Sequence, residues 1–176
     1  MNPKSLIRSV PDFPKPGIRF RDITPLIGNA VGLRTVISTM AARYVGKVDK
    51  VAGIEARGFI FGAAIAYELG AGFVPIRKPG KLPHDSIGHD YALEYGTSRI
   101  EVHVDAVARG ERVLLVDDLL ATGGTAAAAL ALLEMMGAAV VESAFVIDLA
   151  GVGGRKRLEA TGHRVYALYE FAEDEA

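Results

Sequence analysis

The sequence predicts an α/β fold: a mainly parallel, twisted sheet flanked by helices. Three observations lead there. Apolar segments of strand length alternate with segments of helix length, the helical segments end at glycines, and two strand-helix-strand units follow one another along the chain. Leu33, Val36, Ile37, Met40, Ala41 and Tyr44 form one apolar stripe at helical spacing, with Asn29 as N-cap and Gly46 as the stop. Asp49 to Ile54 reads as a short buried strand, Gly58 to Leu69 as an alanine-rich helix closed by Gly70, and Gly72 to Ile76 as a second strand. The next unit repeats the pattern. Residues 112 to 117 form a strand, Thr125 to Met136 a helix stopped at Gly137, and Ala138 to Leu149 a long β-branched strand. Gly154 to Ala160 suggests a short helix, and Arg164 to Phe171 an outer strand before the acidic residues 173–176. The crossovers are expected to be right-handed.

Two segments depart from the alternation. Ser9 to Pro25 carries four prolines among apolar residues, which suits an ordered arm better than a sheet strand. Lys78 to Thr97 is a long polar stretch between strands, the kind of loop that serves as a lid.

Composition narrows the function classes. At 176 residues the chain is expected to be one domain, residues 1–176, large enough to bury a core without disulfides. Lys+Arg 20 against Asp+Glu 21 excludes the broad basic field of a general nucleic-acid binder, so no nucleic-acid partner is expected. The absence of cysteine excludes thiolate zinc sites and cysteine nucleophiles, and the four histidines show no ligand spacing, so no protein-built metal site is expected. No apolar run approaches the ~20 residues of a membrane span. The start, MNPKSLIRSV, lacks a secretory apolar stretch, so a cytoplasmic location is expected.

The stretch from Val113 to Thr125, VLLVDDLLATGGT, carries the most chemistry. Asp117 and Asp118 are expected at the carboxyl end of a strand, where α/β sheets bind ligands. Adjacent carboxylates there accept hydrogen bonds from a vicinal diol such as that of ribose. Ala121, Thr122, Gly123, Gly124 and Thr125 offer backbone N–H groups, two hydroxyls and the positive end of a helix, which together make a phosphate cradle. The two halves describe a ribose 5-phosphate site; the competing reading is a solvated acidic turn before a glycine-rich helix start. A Walker loop is excluded because no lysine follows the glycines.

This stretch resembles the 5-phosphoribosyl-1-pyrophosphate (PRPP) motif of the type I phosphoribosyltransferases. PDFPKPGIRFRDITP at 11–25, GIEARGFIFG at 53–62, IRKPGKLP at 76–83 and LEYG at 93–96 narrow the resemblance to the adenine phosphoribosyltransferases, over roughly residues 11 to 170. It implies the type I phosphoribosyltransferase fold, with residues 1–30 as an arm or hood over the base site and residues 78–97 as a flexible lid loop. The implied reaction converts adenine and PRPP to AMP and pyrophosphate in purine salvage, with Mg²⁺ carried by PRPP and pyrophosphate, in a homodimer. Two rivals are a transferase for another base, such as xanthine, and a PRPP-sensing regulator without turnover. PGIRFRDI argues against the first, and the presence of Arg57, Lys81 and Glu94 against the second.

Residue roles follow from the resemblance and have competing readings on sequence alone. Ala56 and Arg57 stand in a strand-to-helix turn that binds pyrophosphate in the family, although an arginine there also reads as a surface residue. Serine is frequent where this chain has Ala56, so only the backbone contact carries over. Arg77, Lys78 and Lys81 read either as a solvated basic turn or as pyrophosphate ligands. By resemblance Lys81 closes with the lid, while Arg77 and Lys78 reach the neighbouring subunit's site. Glu94 is the candidate general base for the adenine N9 proton, or the group that orients the base, against an exposed loop glutamate. Phe20 can stack on a purine while the Arg19 backbone meets the N1/N6 edge and Leu119 covers the opposite face. Phe20 and Leu119 also read as core residues. The family further implies a non-proline cis bond, expected at Ala56-Arg57. The Gly151-Val-Gly-Gly segment is discounted as a dinucleotide fingerprint because its spacing is wrong.

Overall fold

The computed structural model describes residues 2–93 and 96–172. Its centre is a parallel sheet of β3 (Lys50–Ile54), β4 (Gly72–Ile76), β7 (Arg112–Leu120), β8 (Ala139–Leu149) and β9 (Val165–Phe171), in the order β4-β3-β7-β8-β9. β7 lies in the middle of the sheet. The period of two along it sorts side chains into two cores. Leu114 and Val116 pack with Val36 and Met40 of α2 (Ala30–Ala42) and with Phe61 and Ile65 of α3 (Arg57–Leu69). Val113 and Leu115 face the other way, onto Ala129, Leu130 and Leu133 of α4 (Gly124–Met135). Burial on both faces is why the parallel strands read as continuous apolar runs.

The helix boundaries follow local chemistry. The Asn29 side chain accepts a hydrogen bond from the Gly32 N–H at 2.8 Å and so caps α2, as the sequence predicts. Gly70 takes a left-handed φ of 64° and ends α3. The short helices α1 (Thr24–Ile27) and α5 (Gly154–Glu159) complete the helical set. Among the described residues no helix is long and apolar enough to cross a membrane.

Three expectations change. The proline-rich arm is not free of strand structure: β1 (Arg8–Val10) pairs antiparallel with β2 (Phe20–Asp22), with Val10 opposite Phe20. Pro11, Pro14 and Pro16 lie in the connection between the two strands, where no ladder hydrogen bond is needed, and Pro25 lies in the first turn of α1. The 78–97 lid is not a loop throughout. β5 (Ser86–Ala92) and β6 (Thr97–His103) form an antiparallel hairpin, which polar alternation around Gly88 had hidden. Tyr91, Ile100 and Val102 are its buried side chains, seated in the same core as α4. Finally, β7 continues past residue 117 to Leu120, because β8 keeps pairing with it as far as Leu120 opposite Asp148. On the β3 side pairing ends at Val116. Asp117 and Asp118 therefore occupy a stretch of strand bonded on one side only, which gives them a rigid backbone beside an opening.

Candidate active site

Asp117 and Asp118 line a recess of about 230 Å³ with Arg57, Leu119, Ala121, Thr122, Gly123, Gly124 and Thr125. The structure thus brings together Arg57 and the whole of the sequence-predicted diol and phosphate segment. The recess has two uncapped helix ends. α4 begins behind Gly123, whose φ is 76°, and α3 behind Ala56; neither has a side-chain cap, so their first N–H groups remain available to an anion.

Glycine makes these approaches possible. A Cβ on Gly58 would stand 2.7 Å from Asp117 Oδ1, so only glycine lets the start of α3 press against the end of β7. On the other side, a Cβ on Gly154 would fall under 3 Å from the Ala121 carbonyl oxygen. Gly154 is thus a buttress of the 121–125 loop, a role that sequence reading missed because the two stretches lie about 30 residues apart.

The acids share one electrostatic environment. Asp118 is 3% exposed, and its Oδ2 lies 3.0 Å from Arg57 Nε, an ion-pair distance without hydrogen-bond alignment. Asp117 Oδ1 accepts the Asp118 backbone N–H at 2.8 Å. Burial first, and then the Asp118 charge, hold the Asp117 carboxyl well above the ordinary aspartate value. Burial raises Asp118 too, against the opposing pull of Arg57. An oxygen that is buried and lacks a hydrogen bond is suited to a ligand hydroxyl.

The non-proline cis peptide bond is Glu55-Ala56, one residue before the expected Ala56-Arg57. Glu55 is tied to the basic turn: Arg77 reaches its carboxylate through Nε at 3.1 Å and a terminal nitrogen at 3.2 Å, and the Lys78 N–H donates at 2.9 Å. These bonds hold Glu55 below its ordinary value, the Arg77 contact foremost. Arg77 also donates to the Lys81 carbonyl at 3.2 Å, while the Lys81 side chain is exposed. Lys78 Nζ donates to Tyr91 Oη at 3.1 Å. Burial alone would raise the Tyr91 phenol, but hydrogen bonds with Ser98, Thr125 and Lys78 outweigh it and leave the phenol below its ordinary value. Tyr91 therefore links the β5–β6 hairpin to Thr125 at the start of α4. Glu94 lies outside the described residues.

The arm closes the third side. Arg57 stands 5.4 Å from the centre of the Phe20 ring, and Phe13 meets that ring edge-on at 5.2 Å. A second cavity, of about 560 Å³, lies under the arm and shares Ala121 with the recess. Arg19 lines it, as does Ile18, and Leu149 and Phe171 come from the ends of β8 and β9. Leu119 instead lines the phosphate recess, and Phe20 contacts Arg57. Arg21, 3% exposed, fixes the arm by bonding Ser9 and stacking 4.3 Å over Phe171. Leu149, Phe171 and Arg21 were not singled out from sequence. The signal for the first two was their place at the carboxyl ends of β8, which neighbours β7, and of β9 beyond it.

Comparison with known proteins agrees with this geometry. Residues 30–165 match the family described as phosphoribosyl transferase domain. An adenine phosphoribosyltransferase of Methylobacillus flagellatus is 60% identical, over 99% of this chain and 100% of that protein. The crystal structure of adenine phosphoribosyltransferase from Thermoanaerobacter pseudethanolicus superposes with a TM-score of 0.91 at 49% identity, covering 96% of this chain and 97% of that one. The Giardia lamblia enzyme, complexed with 9-deazaadenine, gives a TM-score of 0.91 at 35% identity and covers 97% and 98%.

Proposed function

The chain belongs to the adenine phosphoribosyltransferases of the phosphoribosyl transferase family, and from that premise we propose that it joins adenine to PRPP, giving AMP and pyrophosphate. The observation that carries the reading is the junction at Ala121, where a diol and phosphate recess meets an apolar cavity under the arm. In that arrangement Thr122 to Thr125 hold the 5-phosphate, and Asp117 and Asp118 accept hydrogen bonds from the ribose hydroxyls. The uncapped start of α3, with Arg57, receives the pyrophosphate. The base lies under the arm, with the Arg19 backbone at its polar edge and Phe20 and Leu119 flanking the approach to the ribose.

Adenine N9 forms its bond to the anomeric carbon as the bond to pyrophosphate breaks, with inversion, and the ring N–H proton leaves to a base. Glu94 is the proposed acceptor or orienting group. Positive charge develops on the ribose ring, so the work of the protein is alignment, water exclusion by the 78–97 lid and stabilisation of separated charge. Lys81 moves in with the lid. Among the described residues there is no group of three or more histidine or acidic side chains to cage a metal. The two aspartates suit a hard cation that takes its remaining donors from substrate oxygens and water. Mg²⁺ held in this way would neutralise pyrophosphate charge.

The proposed working form is a cytoplasmic homodimer. Exposed Tyr67 and Ile60 on α3 support the pairing, and Arg77 and Lys78 are proposed to serve the neighbouring site; light scattering tests the mass. The activity is tested by pyrophosphate release from PRPP with adenine, hypoxanthine, guanine and xanthine offered separately. Release with adenine is expected. Release with another base in preference, or with none, removes the reading.

A further inference from the structure

The phosphate loop has no cation of its own. Ala121 to Thr125 contains no lysine or arginine, and α4 has none along its length. The nearby cations stand at the pyrophosphate end and are paired there, not at this loop: Arg57 with Asp118, Arg77 with Glu55 and Lys78 with Tyr91. A 5-phosphate carries close to two negative charges at neutral pH, so backbone dipoles alone would have to balance it.

One side chain breaks that pattern. A Cβ on Gly124 would stand 3.5 Å from a terminal guanidinium nitrogen of Arg157, 3.5 Å from the Ala92 carbonyl and 3.8 Å from Thr122 Oγ1. The head of Arg157 therefore lies at the loop, beside the hydroxyl of the cradle and the end of the lid strand. Its position is built in two ways. Gly154 locks the base of α5 onto Ala121, and fully buried Leu158 anchors the next residue of the helix. The neighbouring Arg155 spends its guanidinium on Asp148, Glu170 and the Val165 carbonyl. Arg157 has no hydrogen-bond or ion-pair partner for its side chain among the described residues, and it is exposed. An arginine held at an anion cradle and left unpaired is placed to bind a phosphate through its planar fork.

We propose that Arg157 is a ligand of the 5-phosphate, supplying from α5 the positive charge that the loop lacks. This rests on the reading of residues 121–125 as the phosphate cradle. It assigns specificity for a phosphorylated ribose to a residue outside the PRPP motif. Because Arg157 contacts the non-reacting end of the substrate, its effect falls on binding of substrate and transition state alike, raising KM for PRPP with little change in kcat.

The test measures binding of ribose 5-phosphate, AMP and adenine to the full-length protein, for the unmodified chain and for Arg157→Gln, Arg157→Lys and Lys156→Gln, with thermal midpoints as a folding control. Arg157→Gln is expected to weaken ribose 5-phosphate and AMP by about tenfold, as loss of one charge-assisted bond implies, and to leave adenine unchanged. Arg157→Lys should recover part of the loss, and Lys156→Gln should bind like the unmodified protein. Unchanged ribose 5-phosphate affinity in Arg157→Gln, or an equal loss for adenine, overturns the proposal. The family reading fails separately: an unmodified protein that binds ribose 5-phosphate but releases no pyrophosphate with adenine loses the activity and keeps the Arg157 result. An unmodified protein that does not bind ribose 5-phosphate overturns the phosphate cradle and Arg157 with it.

Discussion

Two connections in this chain follow the same local plan and end in different chemistry. In one, β7 carries Asp117 and Asp118, a short apolar turn follows, and Gly123-Gly124 opens α4. In the other, β8 carries Asp148, a short turn follows, and Gly153-Gly154 opens α5. They lie side by side, and a Cβ on Gly123 would stand 3.0 Å from the Gly154 carbonyl. The difference is the first residues of the helix. α5 brings Arg155 back over its own aspartate, with Nε 2.7 Å from Asp148 Oδ2. α4 begins Gly-Thr-Ala-Ala and brings no charge. Asp148 is paired by an arginine from its own connection, whereas Asp117 and Asp118 have raised carboxyl values and a half-exposed arginine brought from a different connection. An acid at a strand end becomes a site when the following helix leaves it uncovered.

The largest expected effect breaks the contact between the two connections. Gly154→Ala puts a methyl into the Ala121 backbone, which has no flexible end to yield. Overpacking of this kind costs up to about 3 kcal/mol, a fall in Tm of roughly 6–12 °C for a chain of this length. Because the displaced atoms belong to the phosphate loop, KM for PRPP should rise as well. A thermal scan and steady-state kinetics check both, and a normal KM would show that the buttress does not shape the loop.

The next pair of variants separates structure from function. Arg155→Ala strands the buried Asp148 carboxylate, at a cost of about 3 kcal/mol, and should lower Tm while kcat at saturating PRPP stays near normal. Asp118→Asn should do the reverse: turnover or PRPP affinity falls about tenfold or more, as a lost charge-assisted bond implies, with Tm little changed. If Asp118→Asn leaves the kinetics unaltered, the contrast between the connections collapses.

pH sharpens the same contrast. The Asp117 carboxyl is raised in the folded protein, so between the ordinary aspartate value of about 4 and the raised value the native state binds more protons than the unfolded one. Stability from this group is therefore present at low pH and is lost as pH rises through the folded value. Asp117→Asn removes that loss. It should melt higher than the unmodified protein at neutral pH, with the advantage vanishing near pH 4, and it should be less active throughout. A neutral-pH midpoint at or below that of the unmodified chain argues that the recess imposes no charge-burial cost.

The smallest effect concerns the cover. Among the described residues, the hairpin of β5 and β6 reaches the first connection through Tyr91 and Thr125. Tyr91→Phe removes the hydroxyl that Lys78 bonds at 3.1 Å, worth about 1 kcal/mol, or a few-fold in KM for PRPP. The same variant should be cut faster within residues 78–97 by protease, and PRPP with Mg²⁺ should slow cleavage of both proteins. Equal cutting with and without substrate would deny the hairpin a covering role.

Much of this was legible in the residues. Alternating periodicity marked the five parallel strands and the main helices, because burial on both sheet faces leaves a strong local signal. VDDLLATGGT marked the residues that line the recess, because the acids and the glycine-opened helix start are neighbours in the chain. The hairpin at 86–103 was hidden because its strands are half-buried, polar and broken by Gly88, whose missing Cβ makes room for the Arg99 guanidinium. The cavity under the arm was read only from the arm, since its floor comes from Leu149 and Phe171 at the ends of two other strands.

The sequence by itself determined the order of elements, the family and the identity of the paired acids and the glycine-rich loop, because each is written in neighbouring residues. Tertiary structure alone decided which strand-end acid stays open, which glycine holds the phosphate loop, and which cation stands beside it. Those outcomes depend on contacts between Ala121 and Gly154, Gly58 and Asp117, and Gly124 and Arg157, pairs separated by 30 to 60 residues that meet only once the sheet has set β7 beside β3 and β8.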